Sequence, residues 1–242
     1  MKTYKAKGIV LGTIKYGESS LIAHVLTDTG GRRSYLIQGV GKTRTSHGGR
    51  GALFQPMFII EFEGLESSRT EMHRMKEVRL AVPLQSLPFD IRKSTVALFM
   101  AELLSRMVKE VQPDTPLFDF IYDSVVALDG MQEGVANFHL WFLVSLSRYL
   151  GFYPQNDYRE GDFFDIEEGS FVGVAPRHPN YMSRENSQLL HVLMNCSADF
   201  LTSLTLSRHR RNDFLTSLLN YFGYHLDTLN RVQSLRILSE VF

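Results

Sequence analysis

One cysteine in 242 residues, Cys196, leaves no partner for an internal disulfide and no set of thiolates for a zinc site. It reads as a small buried hydrophobe in a chain of the reducing cytoplasm. There is no apolar signal core near Met1, and no run of about eighteen apolar residues that would span a bilayer. Cytoplasmic placement without a membrane partner is the expectation. Net charge is also missing, since 26 Lys and Arg balance 26 Asp and Glu.

Several catalytic patterns are absent. Gly41-Lys42-Thr43 imitates the end of a phosphate-binding loop, but the glycine required five residues earlier is replaced by Leu36, and no helix-forming stretch follows. None of the eight histidines is spaced three or four residues from another, as paired zinc ligands on one helix face would be. His139 and His191, within apolar helical stretches, read as core or boundary residues. Gly17-Glu18-Ser19-Ser20-Leu21 lacks the closing glycine of a nucleophile elbow. The acidic run Asp157, Glu160, Asp162, Asp165, Glu167 and Glu168 lacks calcium-loop spacing. No catalytic constellation, metal or cofactor site emerges, and a binding protein is expected rather than an enzyme.

What is present divides unevenly. Residues 1–80 hold 13 Lys and Arg against 7 Asp and Glu, while the remainder holds 13 against 19. Between Asp28 and Glu61 no acid occurs, yet Arg32, Arg33, Lys42, Arg44 and Arg50 do. A basic, acid-free, glycine-rich stretch suits an anionic partner.

The same 80 residues carry five short segments rich in β-branched and aromatic residues, parted by glycine-containing turns. In the fourth, Phe58, Ile60 and Phe62 alternate with Ile59, Glu61 and Glu63, which predicts one buried and one wet face. Five strands with basic loops suggest a closed barrel of the oligonucleotide-binding (OB) type. Tyr35 and His47 are candidate base-stacking residues, Tyr35 having barrel packing as its alternative.

Beyond Pro83 and Pro88 the period changes to about 3.6. Helices are expected over 92–111, 117–128, 135–151 and 210–224, with a short last one capped by Ser234. The fold class is α+β, a five-stranded OB-type barrel (1–80) followed by an all-helical domain (81–242) interrupted at about 152–182 by an irregular acidic insertion, a long loop or small hairpin.

In order and spacing, "YGESSLIAHVLTDTGGR" (16–32), "QGVGKTRTSHGGRGALFQP" (38–56), "FMAELLSRM" (99–107), "LGFYP" (150–154) and "YHLDTLNRVQSLRIL" (224–238) resemble the RecO family of bacterial recombination mediators. The resemblance implies binding of single- and double-stranded DNA, strand annealing, and, with RecR, help in loading RecA onto DNA coated with single-strand-binding protein (SSB), whose acidic, aromatic-ended tail the family docks on. It places the protein with the nucleoid. Lys42 and its neighbours would then meet DNA phosphates. Many members carry four cysteines as a zinc element where this chain has "FYPQNDYREGDFFDIEEGSF", so zinc is not carried over. Many also have Arg-Phe-Glu where this chain has Asn137-Phe138-His139, which leaves Arg148, Arg208, Arg210 and Arg211 to meet a tail carboxylate. Two other readings compete: a protein-interaction adaptor whose barrel no longer binds DNA, and a hydrolase or nuclease using Glu61, Glu63 or the acidic insertion.

Overall fold

A computed structural model describes residues 3–40, 50–65, 72–109, 112–226 and 232–242, with the backbone alone described at Arg50. It forms two compact units, residues 1–129 and 130–242.

The first unit opens with the expected five strands, β1 (Thr3–Tyr16), β2 (Ser20–Thr27), β3 (Gly31–Gln38), β4 (Ile59–Leu65) and β5 (Met72–Leu80). They close into a barrel in the order β1-β2-β3-β5-β4, antiparallel except for β3 against β5. Closure depends on β1, whose first half pairs with β4 and second half with β2, the change being eased by an irregularity between Val10 and Gly12. The bend lets one long strand serve two neighbours. Inward positions supply the core, with Ala6, Val10, Ala23, Val25, Tyr35, Ile37, Ile60, Phe62 and Met75. A 3-10 turn, Arg50–Phe54, adds Phe54 to that core. Gly64 is required where the Tyr4 ring crosses β4, because a Cβ there would lie 2.3 Å from Tyr4 Cζ.

The linker after β5 is pinned by Asp129, whose carboxylate accepts from the backbone N–H groups of Gln85, Ser86 and Leu87 at 2.7–2.8 Å. Helices α1 (Ile91–Met107) and α2 (Thr115–Gly130) follow. Asp90 caps α1 by accepting from Arg92 N, and Val108 turns extended, ending α1 four residues short of the expected Val111. The change from sheet to helix therefore falls near residue 80, whereas the compact units divide after Asp129.

In the second unit α3 (Val135–Tyr149) is central and buried through most of its length, as its nearly uniform apolar sequence requires. Gly134 starts it with φ +76° against the Leu201 backbone, where a Cβ would sit 2.7 Å from the carbonyl carbon. The stretch expected to be a long loop or small hairpin holds the hairpin of β6 (Phe163–Asp165) and β7 (Ser170–Val172), extended by β8 (Tyr181–Met182) into a small sheet in the order β7-β6-β8. Its carboxylates build turns: Asp165 accepts from Glu167 N and Glu168 N, Asp162 from Arg159 N, and Asp157 from Phe171 N. α4 (Arg184–Met194), α5 (Arg208–His225) and α6 (Ser234–Val241) complete the unit. Ser183 and Ser207 cap α4 and α5; Ser234 is the first residue of α6 rather than its cap.

Candidate nucleic-acid interface

Cross-strand register sorts the outward residues of the barrel into rows, and two rows are nearly identical in composition. One runs Ile59, Ile9, Leu26, Arg32 across β4, β1, β2 and β3; the other runs Ile14, Ile22, Leu36, Arg74 across β1, β2, β3 and β5.

The first row is sealed. Ile59 and Ile9 are fully buried and Leu26 nearly so, although all three point out of the barrel core, and α1 packs along β1. The expectation of a wet outer face on β4 fails at Ile59 for this reason. Arg32 lies at the row's end, where its Nη1 donates to the carbonyls of Ser105 (2.6 Å) and Val108 (3.2 Å) at the C-terminus of α1. A cation on the otherwise unpaired carbonyls of a helix end is favourable through both hydrogen bonds and the helix dipole. Burial lowers the Arg32 pKa from its ordinary value. Arg32, expected to meet phosphate, is half-buried here and secures the helix to the barrel.

The second row is open. Ile14 is 57% exposed, Ile22 and Leu36 are half-buried and Arg74 is exposed. Beside it Tyr16, 53% exposed, heads the β1–β2 hairpin, paired with Ser20 and through it with Gln38. No described residue of these two groups is acidic. An apolar strip with an exposed aromatic ring and a cation at its margin offers both a stacking platform and phosphate attraction. β3 ends beside this hairpin, where Val40 N donates to Ser19 O at 2.9 Å, so the glycine-rich basic stretch departs from the same end of the barrel. Lys42, Arg44 and His47 lie outside the described residues, as does the Arg50 side chain.

Of the two readings of Tyr35, the structure selects the core. Its ring is fully buried, edge-on to Phe62 at 5.1 Å, and its hydroxyl is hydrogen-bonded to Tyr4 Oη at 2.8 Å. The base-stacking expectation for Tyr35 is corrected, because an enclosed ring presents no face to a base. Arg33 packs over the Tyr4 ring and donates to Gly30 O and Tyr4 Oη. Sequence reasoning did not pick out Ile14, Tyr16 or Arg74; the clue was the aromatic at the start of "YGES", but only strand register shows which face it occupies.

A third surface joins β1, β4 and β5 around a groove of about 460 Å³ lined by Lys5, Lys7, Asp28, Glu61, Glu63, Glu77 and Arg79 among others. Pairing places Lys7 opposite Glu61 and Glu61 opposite Arg79, with Arg79 Nε 2.5 Å from Glu61 Oε1. Lys5, Glu63 and Lys76 repeat the arrangement. Each of these two carboxylates is flanked by two cations, and Asp28 and Glu77 on the same surface bring the acids to four against Lys5, Lys7, Lys76 and Arg79, an ion lattice with little net pull on a polyanion. Among the described residues no cluster of three or more His, Cys, Asp or Glu is arranged to hold a metal ion.

The four helical-domain arginines have different surroundings. Arg148 stacks on Tyr153 at 4.3 Å, and Arg210 donates to Asn186 Oδ1 and Asp213 Oδ2. Arg208 donates to the Ser239 carbonyl. Arg211 is buried and donates to Asn137 Oδ1 (3.2 Å), Leu206 O (3.1 Å) and the main-chain oxygen of Phe242 (2.9 Å). Beside it His139 is enclosed, and burial followed by the Arg211 charge holds its pKa down to about 3. Trp141 donates to Cys196 O, one of the bonds that hold α3 in place.

Fold and surfaces together define the class, an OB-type barrel with one open outer face followed by helices. Residues 1–83 match the family model of the recombination protein O N terminal and residues 88–234 that of the recombination protein O C terminal. The chain is 37% identical over 239 residues to a protein of Phocaeicola vulgatus, 35% over 240 to one of Bacteroides fragilis and 34% over 239 to one of Flavobacterium psychrophilum, each match covering 98% of both chains. All three relatives bear the name DNA repair protein RecO. The chain belongs to the RecO family.

Proposed function

We propose that this protein is a DNA-binding mediator of recombinational DNA repair, acting by binding rather than by turnover. It binds single- and double-stranded DNA, anneals strands, and with RecR assists RecA loading on SSB-coated DNA. The observation that carries the reading is the open row Ile14, Ile22, Leu36, Arg74 with Tyr16 beside it, at the end of the barrel from which the stretch with Lys42, Arg44, His47 and Arg50 departs. DNA would cross β1, β2 and β3, its bases against Tyr16 and the apolar strip and its phosphates against Arg74 and the basic stretch. RecR and the acidic SSB tail belong to the helical domain, the tail being held by arginines among Arg148, Arg208, Arg210 and Arg211. No described helix is long and apolar enough to cross a membrane.

The test is fluorescence anisotropy of a labelled single strand across a salt series. The expected log–log slope is roughly −0.7 per phosphate contacted, and reversing Lys42 and Arg44 to Glu flattens it for every base sequence alike. Absence of binding at low salt would overturn the DNA reading and favour an adaptor acting through its helical half.

A further inference from the structure

β1 is longer than either of its partners. β4 accompanies it from Thr3 to Ile9, and the residues before β4 reach Val10, whose N–H donates to Phe58 O and whose carbonyl accepts from Met57 N; β2 accompanies it from Gly8 to Tyr16. From Gly12 onward one edge of β1 has no partner strand among the described residues. Thr13, Ile14, Lys15 and Tyr16 are all exposed. A bare edge is a template for another strand, and proteins commonly blunt it with several charges or a proline. Here Lys15 is the one charge, and there is no proline.

The edge complements itself. Laid antiparallel against its own copy about a two-fold axis at Ile14, it sets Ile14 on Ile14, Gly12 opposite Tyr16 and Thr13 opposite Lys15. Gly12 leaves room for the Tyr16 ring, since a Cβ there would meet nothing within 4 Å, and an aromatic ring over a strand glycine is a favourable cross-strand pair. An axis at Lys15 would put like charges face to face, and an axis at Thr13 would need Val10, already bonded to Phe58 and Met57. With the axis perpendicular to the strands' face, the outward residues of both copies stay on one side. The open row then runs unbroken through the joint, Arg74, Leu36, Ile22, Ile14 and, in the second copy, Ile14, Ile22, Leu36, Arg74. Thr13 and Lys15 share the parity of Ala23 and Leu21 and lie on the other side.

We propose that two copies of this protein pair edge to edge, β1 against β1 about Ile14, joining their open rows into one platform with a cation at each end. The platform rests on the reading of that row as the DNA face; the edge pairing does not. An edge this short buries less than the roughly 1,000 Å² of a stable interface, so the pairing is transient in solution and is secured when one DNA strand holds two copies close together.

The experiment uses the full chain carrying Cys196→Ser, a labelled single strand long enough for two copies, and disulfide formation under a mild oxidant. Opposed residues of an antiparallel pair have Cα atoms about 4.5–5.5 Å apart, within disulfide reach, whereas diagonal ones are too far. Ile14→Cys is expected to cross-link on DNA. Thr13→Cys and Lys15→Cys are each expected to stay unlinked alone and to link when mixed. Thr13→Lys, which faces a lysine with a lysine, is expected to raise the concentration needed for the two-copy complex in sedimentation about fivefold, and Thr13→Glu to lower it by as much. Adding Lys15→Glu to Thr13→Lys is expected to restore the complex. Thermal unfolding of each variant separates loss of pairing from loss of the fold. DNA bound by the Ile14→Cys chain without cross-linking, or Thr13→Cys linking alone as well as in the mixture, would overturn the pairing and leave the DNA reading standing. Cross-linking by a chain with no affinity for DNA at low salt would support the pairing and overturn the platform together with the DNA reading.

Discussion

Two rows on the outside of one barrel contain almost the same residues and meet opposite fates. Ile59, Ile9 and Leu26 are buried with Arg32 bound to the end of α1, while Ile14, Ile22, Leu36 and Arg74 lie on an open face. The difference shows that an arginine next to an apolar strip is neither a DNA contact nor a structural clasp until its surroundings are known. Arg32 finds helix-end carbonyls; Arg74 is exposed to solvent and to any polyanion.

The largest expected contrast is in stability. Ile9→Ala removes a fully buried side chain between sheet and helix and should cost about 2–4 kcal/mol in denaturant unfolding, while Ile14→Ala should stay within about 0.5 kcal/mol. Equal effects would erase the distinction between the rows. Next is the aromatic at the open face: Tyr16→Ala should weaken single-strand binding by about 1–3 kcal/mol with melting temperature unchanged. The two arginines give a sharper comparison, since Arg32→Ala strands two α1 carbonyls and should cost about 1–3 kcal/mol of stability. Arg74→Ala should leave stability intact and reduce the salt slope of DNA binding by roughly 0.7. DNA binding that responds to Arg32 but not to Arg74 in folded variants would reverse their roles. The smallest effect belongs to the ion lattice, where Arg79→Ala breaks an exposed pair with Glu61 and should change stability by about 0–1 kcal/mol and DNA binding not at all.

Much of the fold was legible locally. The five strands follow from period-two alternation and glycine-bearing turns, and α1, α3 and α5 from apolar residues at helical spacing, because these patterns report which residues share a face. The small sheet β6–β8 was legible only as a long loop or small hairpin, and the third strand not at all: strands of two or three residues give no period, and the acids that seemed to mark a loop are turn acceptors whose partners are backbone N–H groups. At the candidate site, the basic stretch around Lys42 was visible as an acid-free run, but the end of the barrel from which it departs was not. Tyr35 and Tyr16 are both strand tyrosines, and only their inward or outward parity in the closed barrel separates a core ring from an exposed one.

The sequence by itself determined the barrel and its helical companion, since alternation, turn glycines and helical stripes are properties of neighbouring residues. It also determined the separation of charge between the two parts. Tertiary structure alone decided which arginines are free to meet a partner. Strand register places Arg32 under the end of α1, and α5 carries Arg211 under Phe242, pairings across 73 to 76 and 31 residues that no local pattern encodes. A guanidinium's function is set by the acceptor that the completed fold brings to it.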